Sequence, residues 1–120
     1  LGVGIMCWSP LSGGLLGSNG KEKVAGTRRG LGAELKNETY KQLEKYSNLC
    51  KEIGKSEADV AMAWLLAQPN VTCPIMGPRT VENLRASVKS IDVKLDKSVL
   101  DRLDEIFPKV GPIPEGEILE

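Results

Sequence analysis

Residues 3–17, VGIMCWSPLSGGLLG, and residues 71–80, VTCPIMGPRT, decide the fold of this 120-residue chain. Each stretch opens with an apolar run that is too short for a typical helix and continues into glycine, serine or proline. Such runs are typical of strands that are buried on both faces, as in parallel sheets. We therefore predict strands over residues 3–8 and 71–76. Because proline removes a ladder donor, we expect Pro74 near the start of its strand or at an irregularity.

Four helices are predicted from apolar periodicity and capping residues. The first runs from about residue 38 to residue 53, with one apolar face and Gly54 as its stop. Ser56, Thr80 and Asp96 are typical N-cap residues and open the other three helices. The helix after Thr80 carries an apolar stripe that consists of Val81, Leu84, Val88 and Ile91.

The order strand, loop, two helices, strand, two helices predicts parallel crossovers and an α/β architecture. The loop spans residues 11–37, which contain seven glycines and no sustained periodicity. Two parallel strands cannot close a sheet, and each would leave an unpaired edge. The chain also starts at Leu1 and enters an apolar segment at once. We therefore expect residues 1–120 to be a piece of one longer domain.

Composition excludes several classes of protein. With 41% hydrophobic and 27% charged residues, the chain is typical of globular domains and unlike disordered or disulfide-stabilised ones. Sixteen basic residues balance sixteen acidic ones, so neither nucleic acid nor an anionic membrane is an expected partner. Three separated cysteines indicate reduced thiols in a cytoplasmic protein. The absence of histidine removes histidine-based triads and the commonest metal ligand, so we predict no metal site.

Two segments carry the functional signal, one after each predicted strand. After the second, Gly77 and Pro78 lead into a helix whose first amides lack partners and whose dipole favours an anion. Arg79 adds a planar charged group that suits phosphate. In (β/α)8 barrels, a phosphate site frequently forms from the loops after strands seven and eight. The alternative interpretation is a simple turn followed by a solvated arginine.

After the first strand, Trp8 could stack on a flat ring, and Gly13 and Gly14 permit close approach of the backbone to a ligand. The alternative is that Trp8 fills the core and the glycines serve a tight turn. The following loop carries four basic residues that could hold a phosphate or simply face solvent. They are Lys21, Lys23, Arg28 and Arg29.

These stretches resemble the aldo-keto reductase superfamily, especially the branch that includes potassium-channel β-subunits and their bacterial relatives. WSPLSGGLLG at residues 8–17 is similar to the seventh strand and following loop of that branch. PIMGPRTVENLRASV at residues 74–88 is similar to the eighth strand and the next helix, and residues 56–71 and 95–108 resemble the neighbouring helices. The resemblance implies the C-terminal portion, about strands 7–8 and their helices, of a single (β/α)8 TIM barrel.

The resemblance further implies an NADP(H) site at the mouth of the barrel. Trp8 would stack on the nicotinamide, and Arg79 would lie near the 2′-phosphate that distinguishes NADP from NAD. The residues implied in cofactor binding are Trp8, Ser9, Leu11, Ser12, Gly13, Arg28, Arg29, Gly77, Arg79 and Asn83. Ala86 and Ser87 depart from the Glu-Asn pair that the family uses at the adenine end.

The family's catalytic tyrosine, lysine, aspartate and histidine match no segment here, and Tyr40 and Tyr46 lie on a predicted helix. We therefore assign no catalytic residue. The implied parent protein reduces aldehydes or ketones with NADP(H), and this chain alone should be inactive. A second hypothesis is an NADP(H)-sensing regulatory subunit like the channel β-subunits, and a third is a remnant that binds no cofactor. The expected protein partner is a missing N-terminal half of the barrel or further copies of the chain.

Overall fold

The computed structural model describes residues 2–17, 36–109 and 111. This part of the chain forms two strands and four α-helices near their predicted bounds, so the α/β architecture is confirmed. In chain order they are β1 (Ile5–Trp8), α1 (Asn37–Glu52), α2 (Glu57–Leu66), β2 (Val71–Ile75), α3 (Val81–Lys89) and α4 (Lys97–Ile106). Short 3-10 turns over Ser12–Gly14 and Ser90–Asp92 follow β1 and α3. Most of the predicted loop lies outside the described residues.

β1 and β2 pair in parallel, as the order of elements predicts. The register steps past one residue of β2, Thr72, between Ile5 and Met6 of β1, which makes a bulge. Thr72 Oγ1 accepts a hydrogen bond of 3.1 Å from the amide of Ile5. A Cβ atom on Gly4 would lie 2.5 Å from the same oxygen, so a larger residue there would force the Thr72 side chain to move and would disturb this hydrogen bond.

Pro74 occupies neither of the positions predicted for it. It is the fourth residue of β2 and the register partner of Cys7, beyond the bulge at Thr72. Among the described residues, β2 pairs only with β1 and therefore has one free edge. An edge strand tolerates proline because a nitrogen that faces the unpaired side removes no ladder hydrogen bond.

Side-chain caps fix the starts of α2, α3 and α4, as predicted. Ser56 and Thr80 each accept a hydrogen bond of 3.1 Å from the amide three residues ahead, and Asp96 accepts one of 3.0 Å. Gly54 follows α1 with a φ of 65°, the left-handed conformation that ends many helices. These local signals set where each helix begins or ends, and they place the start of α3 a few residues after β2.

The hydrophobic core is formed by α1, α2 and α4. Its buried residues are Tyr46, Leu49, Cys50, Val60, Val99 and Leu103. The ring of Tyr46 packs edge-on against Phe107, with centroids 5.8 Å apart, and its hydroxyl donates to the carbonyl of Glu57. On the surface, Arg102 of α4 forms two hydrogen bonds of 2.8 Å to the carboxylate of Glu52 in α1. α1, α2 and α4 thus pack directly against one another, and the sheet is not part of their core.

The strands are not buried on both faces, contrary to the prediction. Met6, Trp8 and Ile75 are 67%, 72% and 45% exposed, whereas Cys7 and Pro74 are partly buried. Alternate residues of a strand face opposite sides. The side of Cys7 and Pro74 is partly covered, although Ile5 on that side is 49% exposed, and the side of Met6, Trp8 and Ile75 is open. We call the second side the open sheet face, formed by Met6, Trp8, Cys73 and Ile75. Strand periodicity tells which residues share a side but not what covers that side, so it could not predict this exposure.

The apolar stripe of α3 also lies outside the core. Val81, Leu84 and Val88 lie in α3 as predicted, whereas Ile91 lies in the turn over Ser90–Asp92 that follows it. All four are 48–61% exposed, and α3 contains no buried residue. We call this surface the α3 stripe; it is formed by Val81, Leu84, Val88 and Ile91.

Candidate functional site at the carboxyl ends of the strands

The carboxyl ends of β1 and β2 lie at the same edge of the sheet. Trp8 closes β1, Ile75 closes β2, and the two residues are register partners. Because the strands are parallel, the loops that follow them leave from this one edge, the usual place for ligands in α/β folds. The structure therefore brings together the two segments that the sequence singled out.

The loop after β1 is a tight turn with left-handed backbone conformations. Ser9, Ser12 and Gly13 have φ angles of 57°, 51° and 71°. The hydroxyl of Ser9 accepts a hydrogen bond of 3.1 Å from the amide of Gly13, and its carbonyl accepts one of 2.9 Å from Ser12. The carbonyl of Leu11 accepts one of 3.0 Å from Gly14. Such backbone strain at residues other than glycine is enriched at ligand sites.

The left-handed conformations of Ser9 and Ser12 were not predicted. Glycine was the only signal for positive φ in this segment, and it pointed to residues 13 and 14. Ser9 also precedes Pro10, a position that normally favours extended backbone. Arg28 and Arg29, predicted to close over the cofactor, lie outside the described residues, as do Lys21 and Lys23.

Trp8 has its side chain on the open sheet face, beside the start of this loop. It is 72% exposed, so within the described residues it does not fill a core. Its neighbours on that face are Met6, two residues before it, and Ile75, its register partner. A largely exposed aromatic ring thus lies at the sheet edge from which both loops leave.

The loop after β2 leads directly into the N-terminus of α3. Thr80 caps the amide of Asn83, and the first two amides of the helix have no helical acceptor. Arg79 is exposed and forms no ion pair with another described residue. An added Cβ atom on Gly77 would meet nothing within 4 Å, and its φ is not left-handed. Neither packing nor conformation of the described residues therefore requires glycine there.

Asn83, Ala86 and Ser87 lie further along α3. Asn83 and Ala86 are exposed, and the hydroxyl of Ser87 donates a hydrogen bond of 2.8 Å to the carbonyl of Asn83. Ala86 offers no polar atom beyond its backbone, and the one proton of the Ser87 hydroxyl is already used within the helix. Of these three residues, Asn83 is therefore the one with an exposed polar side chain.

The groups with the largest changes in pKa lie in the helical core, away from these loops. Burial raises the pKa of the Tyr46 hydroxyl far above its usual value, with Cys50 and Glu57 adding to the effect. Burial also raises the pKa of the Cys50 thiol to about 11. Both residues belong to α1, as does Tyr40. Because Tyr46 is buried and bonded to a helix carbonyl, its shifted pKa has a structural cause.

The described part of the chain holds no group of three or more histidine, cysteine, aspartate or glutamate residues that could bind a metal ion. Across residues 2–17 and 36–109, no helix has both the length and the apolar character needed to span a bilayer.

Comparison with known proteins adds the family. The model of the Aldo/keto reductase family matches residues 1–108. The chain belongs to the aldo/keto reductase family. The resemblance seen in the two strand-loop segments is thereby confirmed for the family, and the match extends over all the elements from β1 to α4.

Individual relatives agree with this assignment. The chain is 52% identical to an uncharacterized oxidoreductase, YrpG, of Bacillus subtilis over 111 residues, which are 92% of this chain and 34% of that protein. It is 30% identical to a probable aldo-keto reductase 1 of Glycine max, over 97% of this chain and 35% of the relative. It is also 30% identical to a probable voltage-gated potassium channel subunit beta of Arabidopsis thaliana, over 96% of this chain and 38% of the relative. The chain spans about a third of the length of these relatives.

Proposed function

We propose that this chain forms the C-terminal third of an NADP(H)-dependent aldo/keto reductase barrel and contributes part of its cofactor site. The observation that carries the proposal is the parallel register of Trp8 and Ile75, which sends both candidate loops from one sheet edge. In this arrangement β1 and β2 are strands seven and eight of a (β/α)8 barrel. Membership of the family supports the proposal, because barrel enzymes place their active sites at the carboxyl ends of the strands.

Each residue at this edge contacts a different part of the cofactor. Trp8 stacks on the nicotinamide, the turn from Ser9 to Gly13 lines the pyrophosphate, and Arg28 or Arg29 closes over it. Gly77 admits the adenosine phosphate, and Arg79 pairs with the 2′-phosphate beside the uncapped amides of α3. Asn83 contacts the adenosine end of the cofactor as well. When bound, the cofactor supplies hydride to the carbonyl carbon of an aldehyde or ketone.

The proposal separates the positioning of the cofactor from proton transfer. None of the ten cofactor residues is a catalytic acid, and the buried Tyr46 hydroxyl does not reach the sheet edge because it donates to the carbonyl of Glu57. The acid that protonates the carbonyl oxygen therefore belongs to another part of the barrel. On its own the chain is inactive as a reductase.

A second candidate function is an NADP(H)-sensing regulatory subunit. It is favoured by relatives from Schizosaccharomyces pombe and Arabidopsis thaliana whose names denote potassium channel β-subunits, at 29% and 30% identity. The enzyme is the leading proposal because the Bacillus subtilis relative, at 52% identity, is named an oxidoreductase. Both functions require the same cofactor residues, and turnover of an aldehyde by the complete barrel distinguishes them.

The test of the cofactor site uses a hybrid barrel, in which this chain replaces the matching 111 residues of the Bacillus subtilis relative. We expect Arg79→Ala to weaken binding of NADPH by about 1.5–3 kcal/mol, since a charge-assisted hydrogen bond is lost, and to change NADH binding little. Quenching of tryptophan fluorescence during cofactor titration gives both dissociation constants. Arg85→Ala is the control, because Arg85 is likewise an exposed arginine but lies within α3, whereas Arg79 precedes the helix. Equal losses for NADPH and NADH would refute the assignment of Arg79 to the 2′-phosphate.

A further inference from the structure

Leu16 is the residue that attaches the loop after β1 to the helical core. Its side chain is partly buried and packs against the core cluster of α1, α2 and α4. Within residues 9–17 of the loop, no other apolar side chain packs on this cluster. Gly17, the next residue, lines a cleft together with Cys50 of α1 and Ser56 at the start of α2. The end of the loop therefore lies against the helices near the connection between α1 and α2.

Hydrogen bonds connect Leu16 to the residues that precede it. The carbonyl of Leu11 accepts a hydrogen bond of 3.0 Å from the amide of Gly14 and one of 3.2 Å from the amide of Leu16. The carbonyl of Gly14 accepts one of 3.1 Å from Gly17. The Leu11 side chain lies at the same place, because its Cδ1 atom is 3.6 Å from the position of a Cβ atom on Gly17. Residues 11–17 thus form one hydrogen-bonded unit, and a displacement of Leu16 displaces Leu11 as well.

The residues nearer to β1 are not held in place by burial. The turn over Ser12–Gly14 contains no buried residue, and Ser9 and Ser12 have the left-handed φ angles of 57° and 51°. Such conformations are strained for serine and persist only where the surrounding structure enforces them. β1 holds the loop at Trp8, and the packing of Leu16 holds its other end.

We propose that Leu16 is a positioning residue for the cofactor: by packing on the core of α1, α2 and α4, it holds the turn over residues 9–13 in the shape that receives the pyrophosphate. Leu16 itself contacts no part of the cofactor. The inference rests on the proposed function, which places that turn along the pyrophosphate. It makes the affinity for the cofactor depend on the packing of three helices that contribute none of the ten cofactor residues.

Leu16→Ala and Leu95→Ala are matched variants that test this role. Both remove a partly buried leucine that packs on the same core, but Leu95 directly precedes the cap of α4 and belongs to neither candidate loop. Each variant is introduced into the hybrid barrel, and NADPH is titrated as for Arg79. Competition with adenosine 2′-monophosphate, which carries the adenosine end of the cofactor without the pyrophosphate, measures the other end of the site separately.

We expect Leu16→Ala to weaken binding of NADPH about tenfold, the loss for a turn that keeps its binding shape about one tenth of the time. The affinity for adenosine 2′-monophosphate should not change. Leu95→Ala should lower the thermal midpoint of the hybrid as Leu16→Ala does, and leave both affinities as they were. Leu16→Met, which nearly conserves the volume of the side chain, should restore binding of NADPH.

Three results would overturn the proposal. They are an unchanged affinity of Leu16→Ala for NADPH, an equal loss of that affinity in Leu95→Ala, and a parallel loss of affinity for adenosine 2′-monophosphate. The last two would show that the helical core supports the whole site and that Leu16 has no particular effect on the turn. If Leu16→Ala does not fold, Leu16→Val removes less of the side chain and is measured in the same way.

Amide exchange in the 120-residue chain keeps this inference separate from the proposed function. The amides of Ser12, Gly13 and Gly14 donate hydrogen bonds within the turn, so they report on its shape without any cofactor. We expect Leu16→Ala to speed their exchange by local opening, and Leu95→Ala to leave it unchanged. If the unmodified hybrid does not bind NADPH, the cofactor proposal fails, and the exchange rates still decide whether Leu16 holds the turn. If the hybrid binds NADPH but the exchange rates of both variants equal those of the wild type, the role of Leu16 is refuted and the cofactor proposal stands.

Discussion

Cys50 shows at the scale of one residue how strongly the helical core disfavours charge. Its side chain is 1% exposed among α1, α2 and α4. Burial raises the pKa of its thiol from 9.0 to about 11, and the charge of Glu57 acts in the same direction, while a hydrogen bond with Tyr46 opposes them. The folded chain therefore holds the thiol proton at a pH where the unfolded chain releases it.

This difference predicts that the chain loses stability at alkaline pH. The contribution of Cys50 is complete below pH 9 and is lost as the pH rises through about 11, because the folded pKa is the higher one. Tyr46 adds a loss of the same sign that begins above its ordinary value of 10.0. Urea midpoints at pH 8, 9 and 10 measure the effect. We expect Cys50→Ala to lose less stability than the wild type over this interval, and parallel curves for the two proteins would contradict the assignment.

At the scale of elements, α2 and α3 begin with the same cap but contribute differently to the fold. Ser56 and Thr80 each accept a 3.1 Å hydrogen bond from the amide three residues ahead. α2 carries Val60, which is fully buried, and three further buried apolar residues, whereas α3 carries none. Fraying of α2 therefore disturbs the core, and fraying of α3 exposes little that is not exposed already.

We accordingly expect Ser56→Ala to lower the free energy of unfolding by about 1 kcal/mol, the typical effect of losing a capping side chain. Thr80→Ala should leave the urea midpoint nearly unchanged and speed amide exchange only in the first turn of α3. Far-ultraviolet circular dichroism during urea titration measures the first effect, and hydrogen exchange measures the second. A comparable shift of the midpoint in both variants would show that α3 unfolds together with the core.

The same contrast explains how much of the fold the sequence predicts. Caps and helical periods are local, and Ser56, Thr80 and Asp96 open their helices where the sequence places them. Burial is not local, because the period of α3 tells which residues share a side but not what covers them. The prediction for Pro74 was wrong for a related reason, since tolerance of proline depends on the free edge of β2.

The candidate site, like the fold, was predictable from the sequence only in part. Parallel pairing was predictable from the order of strands and helices, and it brings the loops of Trp8 and Arg79 to one edge. The left-handed serines were not predictable, because their conformation is held by hydrogen bonds within the turn and by no signal of residue type. The contacts of individual side chains with NADP(H) remain predictions, since they also depend on the rest of the barrel.

At the scale of the whole molecule, the described residues divide into a helical core and a periphery. In the core of α1, α2 and α4, the ring of Tyr46 packs against Phe107 and its hydroxyl donates to the carbonyl of Glu57. On the surface of these helices, Arg102 donates to the carboxylate of Glu52. The periphery consists of β1, β2 and α3, which together hold no buried residue. A parallel pair of strands with one open face is marginal by itself, because isolated two-stranded sheets are barely stable in water.

Hydrogen exchange should therefore separate the two parts. Amides of α1, α2 and α4 should exchange through global unfolding, and those of β1, β2 and α3 at least about tenfold faster through local opening, equivalent to about 1.4 kcal/mol less protection. Mass spectrometry of peptic peptides from the chain and from the hybrid barrel measures both parts at once. In the hybrid the difference should shrink, because the added strands and helices cover the open sheet face and the α3 stripe. Equal protection throughout the isolated chain would mean that the two strands and α3 are held as firmly as the core, and that the uncovered apolar faces carry no cost in stability.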